Sequence, residues 1–313
     1  MPRYLVTGGA GFIGSHIAEA LLARGESVRI LDNLSTGYRE NMAALTGDVE
    51  FLEGDLLDDA VVARAVQGVE VVFHQAALAS VHRSLSKPQQ THAVCATGTL
   101  ILLDQARQAG VRRLLYAASS SAYGNQEHAC NTETDLVAPA SPYAASKLAG
   151  EHYCRSFYTT YGLETICLRY FNVFGPRQDP NSAYSAVIPL FIRTMLNGKQ
   201  PVIFGDGKQS RDFVFVKDVV LGNLLAADAE GAAGRVINLA TSQQTSLLDL
   251  IALLNEMLEL DVQPEHQPER EGDVRHSLAD ISLARDLLDY QPHFSLAAGL
   301  QQSIDYYRTL VDR

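Results

Sequence analysis

Short apolar runs of strand length alternate, through the first half of the chain, with longer stretches whose apolar residues recur three or four positions apart. Tyr4-Leu5-Val6, Val28-Arg29-Ile30-Leu31, Glu50-Phe51-Leu52, Val69 to Phe73, Leu114 to Ala117 and Thr165 to Leu168 are the strand candidates. Phe12 to Arg24 and Val94 to Gln108 are helical stretches between them. This β-α-β-α rhythm predicts a parallel sheet with helices on both faces, an α/β, doubly wound, Rossmann-like architecture. Beyond about Tyr170 the rhythm loosens into a helix near Ala186 to Leu196, strands near 202–204 and 213–216, and helices near Leu247 to Leu258 and Leu296 to Tyr306. These predict a smaller, mixed α/β C-terminal lobe built partly from returning segments.

Composition adds bounds rather than identity. The chain has 313 residues, 47% hydrophobic and 19% charged, which is enough for one large domain or two unequal ones. No apolar run approaches a membrane span, and Met1 to Val6 passes straight into strand-like sequence with no charged leader or apolar export region. The expectation is a soluble, cytoplasmic protein. Cys95, Cys130, Cys154 and Cys167 show neither zinc-type nor C-x-x-C spacing, so no metal and no disulfide framework is expected. A net charge of −11 argues against nucleic acid and anionic membranes as partners; an anionic ligand would need locally placed arginines.

Chemistry enters at Thr7-Gly8-Gly9-Ala10-Gly11-Phe12-Ile13-Gly14, which follows the first strand candidate and opens the first helix. Gly8 suits a tight turn, Gly11 lets backbone approach a pyrophosphate at the helix N-terminus, and Gly14 permits close helix-to-strand packing. The spacing is G-x-x-G-x-x-G. Asp32 ends the second strand, where a carboxylate accepts hydrogen bonds from ribose hydroxyls, and no arginine immediately follows it, which favours NAD over NADP. Asp55-Leu56 and Ala76-Ala77 lie at further strand ends, where an open parallel sheet places its ligand; Asp55 reads equally as a helix cap.

Ser141-Pro142 predicts a helix start, which puts Tyr143 and Lys147 one turn apart on one face. A tyrosine hydroxyl titrates near 10, and a neighbouring ammonium together with a positive nicotinamide ring lowers that value. Taken alone, Tyr-x-x-x-Lys is more often an amphipathic tyrosine beside a solvated lysine. A third group comes from Ala117-Ala118-Ser119-Ser120-Ser121-Ala122-Tyr123-Gly124, where Ser119, at the end of the fifth strand, can share a moving proton.

With these residues assembled, the chain resembles the extended short-chain dehydrogenase/reductases and, within them, the UDP-sugar 4-epimerases, nearest to those acting on UDP-N-acetylglucosamine. The resemblance runs from the glycine loop through Ser119-Ser120-Ser121 and Tyr143-x-x-x-Lys147 to Arg169-Tyr170-Phe171-Asn172-Val173-Phe174-Gly175-Pro176, Gly205-Asp206-Gly207-x-x-x-Arg211-Asp212-Phe213 and Arg270-Glu271-Gly272-Asp273. It implies an NAD-binding domain over 1–172 with a returning segment about 213–240, and a UDP-sugar-binding domain over 173–212 and 241–313. It implies catalysis by Ser119, Tyr143 and Lys147. On the cofactor side it implies Gly8, Gly11, Phe12, Ile13, Gly14, Asp32, Asn33, Asp55, Leu56, Ala76, Ala77, Lys87 and Tyr170, with Tyr143 and Lys147. On the substrate side it implies Ser80, Ser120, Ser121, Asn172, Val187, Arg211, Arg270, Asp273 and Ser277. Asn172, Arg211 and Arg270 would hold the diphosphate and Asp273 the uridine ribose; without the family, Arg211-Asp212 and Arg270-Glu271 read as exposed ion pairs.

Two departures sharpen the implied reaction. Relatives that dehydrate a sugar carry an Asp-Glu pair where this chain has Ser120-Ser121, which disfavours dehydration and leaves NAD-dependent 4-epimerisation through a 4-keto sugar. A UDP-glucuronate 4-epimerase or decarboxylase uses the same oxidation and is the alternative; a non-catalytic NAD sensor is another, against which Tyr143 and Lys147 are both retained. Ser277 stands where enzymes restricted to UDP-glucose and UDP-galactose carry a bulky tyrosine, leaving room for an N-acetyl group, and Gln178 to Tyr184 resembles the N-acetylhexosamine subgroup. The second departure is Cys95-Ala96-Thr97-Gly98-Thr99, where the family has N-x-x-G-T. Apolar surface on the helices near Thr91 to Ala109 and Pro142 to Tyr161 is in keeping with the family's homodimer through a helix bundle, or with burial on the chain's own sheet.

Overall fold

In the computed structural model, which describes residues 3–126, 130–180, 186–269 and 275–311, the alternating rhythm becomes a parallel sheet. Its first six strands are β1 (Tyr4–Thr7), β2 (Val28–Asp32), β3 (Val49–Glu53), β4 (Val71–His74), β5 (Arg113–Ser119) and β6 (Glu164–Tyr170). Then come β7 (Asn172–Phe174), β8 (Val202–Phe204), β9 (Ser210–Arg211), β10 (Phe213–Phe215), β11 (Val236–Leu239), β12 (Thr245–Ser246), β13 (Glu265–Gln267) and β14 (His276–Ser277). The main sheet runs β11-β6-β5-β4-β1-β2-β3, and every pairing in it is parallel. The chain winds outward from β1 to β3, returns to β4, and winds the other way, so the winding direction switches between β1 and β4.

Central strands of a doubly covered sheet are apolar on both faces, and the buried runs of β1 and β4 show this. Alternate residues divide between two layers. Val6, Ile30, Phe73 and Leu115 face helices Phe12–Ala23 and Val216–Asp228, whereas Leu5, Leu31, Val72 and Leu114 face Asp59–Val66, Gly98–Gln108 and Pro142–Tyr161. The outermost strand β3 carries the exposed charges Glu50 and Glu53, which discourage edge pairing.

The smaller C-terminal body has its own apolar cluster, with Phe174, Phe191, Phe213, Leu250, Leu254 and Leu300 at its centre. Its strands are short: β10 pairs with β7, β13 with β8, and β9 lies between β12 and β14. The returning segment enters the main sheet only at β11, beside β6. The helix expected over Val94 to Gln108 also departs from the periodic reading, because it opens with a π-helical turn over Ala93–Thr97 before the α-helix Gly98–Gln108. Such single-turn insertions are rare and gather at functional sites. No helix among the described residues is long and apolar enough to cross a membrane.

Candidate active site

A cleft opens along the carboxyl ends of the parallel strands, across the β1/β4 switch point. Open α/β sheets place ligands there. Gly8, Gly11, Phe12, Ile13, Gly14, Asp32, Asn33, Leu56, Ala76, Ala77, Tyr143, Lys147 and Tyr170 all line it. The glycines are required by space. Gly8 has a φ of +70°, and a Cβ there would lie 2.7 Å from the Ala76 amide nitrogen; a Cβ on Gly14 would lie 2.2 Å from the Gly8 carbonyl oxygen. The helix Phe12–Ala23 starts from Gly11 with no side-chain cap, which leaves its first-turn N–H groups available to an anion.

Asp32 is buried at the end of β2, where its carboxylate accepts from the Ala10 and Leu34 amides at 3.0 and 2.8 Å. Burial raises its pKa and the two amides oppose that. Two oxygens offer about four acceptor positions, so two remain for ligand hydroxyls. Asn33 beside it donates to Asp55 at 2.7 Å. A dinucleotide therefore fits the residues present: close glycine backbone and an uncapped helix end for the phosphates, and an acceptor at the ribose position. Among the described residues no cluster of His, Cys, Asp and Glu is placed to hold a metal ion.

At the far end of the cleft stand the three groups with acid–base capacity. Ser141 caps the helix by accepting from the Ala144 amide at 3.1 Å, Pro142 fills the first helical position, and Tyr143 and Lys147 follow on the cleft-facing side. Burial pushes the Tyr143 phenol above its ordinary value, and a hydrogen bond with Ser119 pulls it back. Lys147, 2% exposed, is pushed down by burial. Ser119 ends β5, and its Oγ accepts from the Ser121 amide and hydroxyl at 3.2 and 2.8 Å, so the three serines form one capped turn. No carboxylate occupies this turn.

The other expected positions spread across the smaller body. Asn172 donates from both its backbone and its side-chain nitrogens to the Asp212 carbonyl, and the Asp212 amide donates to Ser277. Arg211 and Ser277 are register partners on β9 and β14. Asp212 itself is fully buried, its carboxylate accepting from the Thr241 amide and hydroxyl, the Ser242 amide and the Ala279 amide. It gathers Asn172, Arg211 and Ser277 into one neighbourhood. Ser80 caps the helix Val81–Ser86 and Val187 begins the helix Val187–Leu196. Arg270, Asp273 and the stretch Asn181 to Tyr184 lie outside the described residues.

Residues 4–240 match the NAD dependent epimerase/dehydratase family, about three quarters of the chain. The chain belongs to that family. It is 39% identical to a UDP-glucose 4-epimerase of Mycolicibacterium smegmatis over 310 residues, covering 98% of each protein. Among solved structures it superposes with a TM-score of 0.94 on a UDP-N-acetylglucosamine 4-epimerase from Methanobrevibacter ruminantium in complex with UDP-N-acetylmuramic acid, at 38% identity and 99% coverage of both. A UDP-glucose 4-epimerase of Thermotoga maritima with UDP-glucose gives 0.93 at 38% identity, covering 98% of this chain and 99% of that one. NAD is thus the cofactor of the family, as the glycine loop and Asp32 led one to expect.

Two expected cofactor contacts of this epimerase-family chain do not line the cleft. Asp55 stands behind Asn33 and accepts from the Leu57 amide in a local turn; the helix cap is Asp58 instead, whose carboxylate accepts from the Ala60 and Val61 amides. Lys87 is exposed at the junction of two short helices. Conversely, Ser35, Thr36, Gly54, Gln75, Leu78, Val94, Ala117 and Ala118 line the cleft without having been singled out. Their signal was position, since most sit at or just beyond a strand's carboxyl end.

Proposed function

We propose that this chain is a UDP-sugar 4-epimerase that retains NAD and interconverts UDP-N-acetylglucosamine and UDP-N-acetylgalactosamine, with UDP-glucose and UDP-galactose also accepted. The observation that carries this reading is the Ser119, Tyr143 and Lys147 constellation at the end of the cleft, beside a serine turn that lacks the acid–base pair of a dehydratase. Held by the Gly8 to Gly14 loop and Asp32, NAD would supply a reversible hydride acceptor for sugar C4, so that no net oxidation results.

Tyr143 removes the proton from the sugar O4 and later returns it. Its phenolate is disfavoured by burial, and Lys147 opposes this with its positive charge one helical turn away. Ser119, already hydrogen-bonded to the phenol, passes the proton between O4 and Tyr143. Inversion requires the sugar to present its other face, and a diphosphate held by Asn172, Arg211 and Arg270 permits that by rotation about its own bonds. Asp273 takes the uridine ribose. Ser277, half-buried on β14, leaves space at the C2 substituent without rejecting a smaller one.

In this reading the sheet body, 1–172 with the returning segment about 213–240, holds NAD, and 173–212 with 241–313 holds the UDP-sugar. Helices Gly98–Gln108 and Pro142–Tyr161 pair with a second copy in a homodimer; Tyr153 and Tyr161 on the latter are exposed. The deciding measurement is chromatography of nucleotide sugars after incubation with no added reductant. UDP-N-acetylgalactosamine should appear from UDP-N-acetylglucosamine, and Tyr143→Phe should lower turnover about a thousandfold while NAD stays with the protein. A pentose nucleotide from UDP-glucuronate, with no hexosamine turnover, would reassign the enzyme as a decarboxylase. A monomeric mass in light scattering would reject the dimer.

A further inference from the structure

Lys147 is buried, yet among the described residues no carboxylate lies within ion-pair distance of it. Glu151, one turn along, is committed to Arg169 through two hydrogen bonds of 3.0 and 2.7 Å. The ammonium instead sits over the ring of Tyr116, 4.4 Å from its centroid. Tyr116, on β5, is fully buried, and its hydroxyl donates at 3.2 Å to the backbone carbonyl of Lys147 itself. One side chain therefore touches Lys147 at both ends. The opposing helix makes room for it, since a Cβ on Gly150 would fall 2.2 Å from the Tyr116 hydroxyl and 2.5 Å from its Cζ.

We propose that Tyr116 is a positioning residue of the reaction: its ring face is the partner that keeps the Lys147 cation in place beside Tyr143. An aromatic face attracts a cation through its quadrupole, most strongly where water is absent. Glu151 favours the Lys147 cation electrostatically while it is bonded to Arg169, and the ionisable groups on the strands and the π-turn around the pair are neutral. His74 on β4, whose ring centroid is 5.6 Å from that of Tyr116, is pushed down to about 3 and stays neutral. Cys95 on the π-turn is pushed up by burial, Cys167 on β6 is pushed well up by its hydrogen bond with Cys154 and by burial, and both remain thiols. Ser119 on β5 meets Tyr143 as a neutral hydroxyl.

The inference rests on the proposed roles of Tyr143 and Lys147, and a shape-conserving series tests it. Phenylalanine and then mono-, di- and trifluorophenylalanine at position 116 remove ring quadrupole stepwise while filling the same volume. Two quantities are read on NAD-loaded protein: the acid limb of the kcat–pH profile and the Tyr143 titration, followed by 13Cζ-tyrosine NMR with the signal assigned through Tyr143→Phe. Tyr116→Phe should leave both midpoints in place, and trifluorination should raise both by about one pH unit. Gly150→Ala, which drives a methyl into the Tyr116 ring, should raise them similarly and have no further effect once Tyr116→Leu is present. Midpoints flat across the fluorinated series would overturn the proposal. If Tyr143→Phe itself retained turnover, the acid–base reading would fail first, and the two failures are thus distinguishable.

Discussion

In the sheet body Gly8, Asp32, Ala76, Ser119 and Tyr170 stand at or just beyond the ends of strands four to seven residues long, whereas Arg211 and Ser277 in the smaller body stand on strands of two. The long strands share one register rule and one pair of covering layers, so their ends are fixed collectively. The short ones are held by particular contacts, Asp212 foremost, whose buried carboxylate takes four hydrogen bonds from two segments. Damage to the first side should therefore appear in cofactor retention and folding. Damage to the second should appear in which sugar is used.

The strongest break of this contrast is Gly14→Ala. Its methyl would meet the Gly8 carbonyl oxygen at 2.2 Å, and that atom belongs to backbone locked by β1 and the Ala76 loop. A cost of about 3 kcal/mol and loss of bound NAD are expected. Urea unfolding together with the absorbance of released nucleotide measures both; a stable variant that keeps its NAD would show the loop to be more pliant than its packing implies.

A second test exploits a network behind the loop. Thr7 on β1 meets His74 Nδ1 at 2.8 Å, and His74 Nε2 meets the Thr99 hydroxyl at 2.9 Å, which in turn donates to the Cys95 carbonyl. The ring is 1% exposed and, with Lys147 near, is pushed down to about 3. Its folded pKa is thus below an unfolded value near 6.5, so its contribution is fully present above 6.5 and is lost as pH falls towards 3. Between pH 7 and pH 5 this amounts to about 2 kcal/mol of lost stability. His74→Gln, uncharged at both pH values, should lack that part of the decline in paired urea titrations, and an identical decline in both proteins would contradict it.

These two tests also mark what the sequence makes legible. Gly8 to Gly14, Asp32, Ala76-Ala77 and the pair Tyr143-Lys147 could be placed because a parallel sheet delivers each strand end to one edge, and capping chemistry fixes where a helix begins. The π-turn over Ala93–Thr97 could not, since its extra residue leaves the apolar spacing of the helix almost unchanged. Nor could the approach of Arg211 to Ser277, 66 residues on. A two-residue strand carries no periodicity, and its partner is chosen by tertiary packing. Asp212 illustrates the same gap, because beside Arg211 it reads as half of a surface ion pair and is in fact buried.

On the less regular side, Ser277→Tyr should change selectivity and little else. A phenol projecting from β14 would fill the space proposed for the C2 substituent, disfavouring the N-acetylated sugar by about 1.4 kcal/mol relative to UDP-glucose, or about tenfold in the ratio of kcat/KM values. NAD content should stay as in the parent. A parallel fall for both sugars would mean that Ser277 does not border C2.

The smallest expected effect sharpens the contrast from the sheet side. Asp55 does not line the cleft but receives the Asn33 amide at 2.7 Å, and Asn33 does line it. Asp55 also accepts from the Leu57 amide in its own turn at 2.9 Å, so part of its role is local to that turn. Asp55→Ala removes both of these solvent-exposed bonds, each worth about half a kcal/mol or a little more. The Leu57 amide finds water instead, and the cost that reaches the cofactor is the freed rotation of Asn33. NAD should therefore dissociate about threefold more readily, a difference measurable by nucleotide exchange. Asn33→Ala in the same background should add nothing further, because the hydrogen bond that links the Asp55 side chain to a cleft-lining side chain is that amide. An additive loss in the double variant would instead place Asp55 in direct contact with the bound cofactor, as the family resemblance first implied.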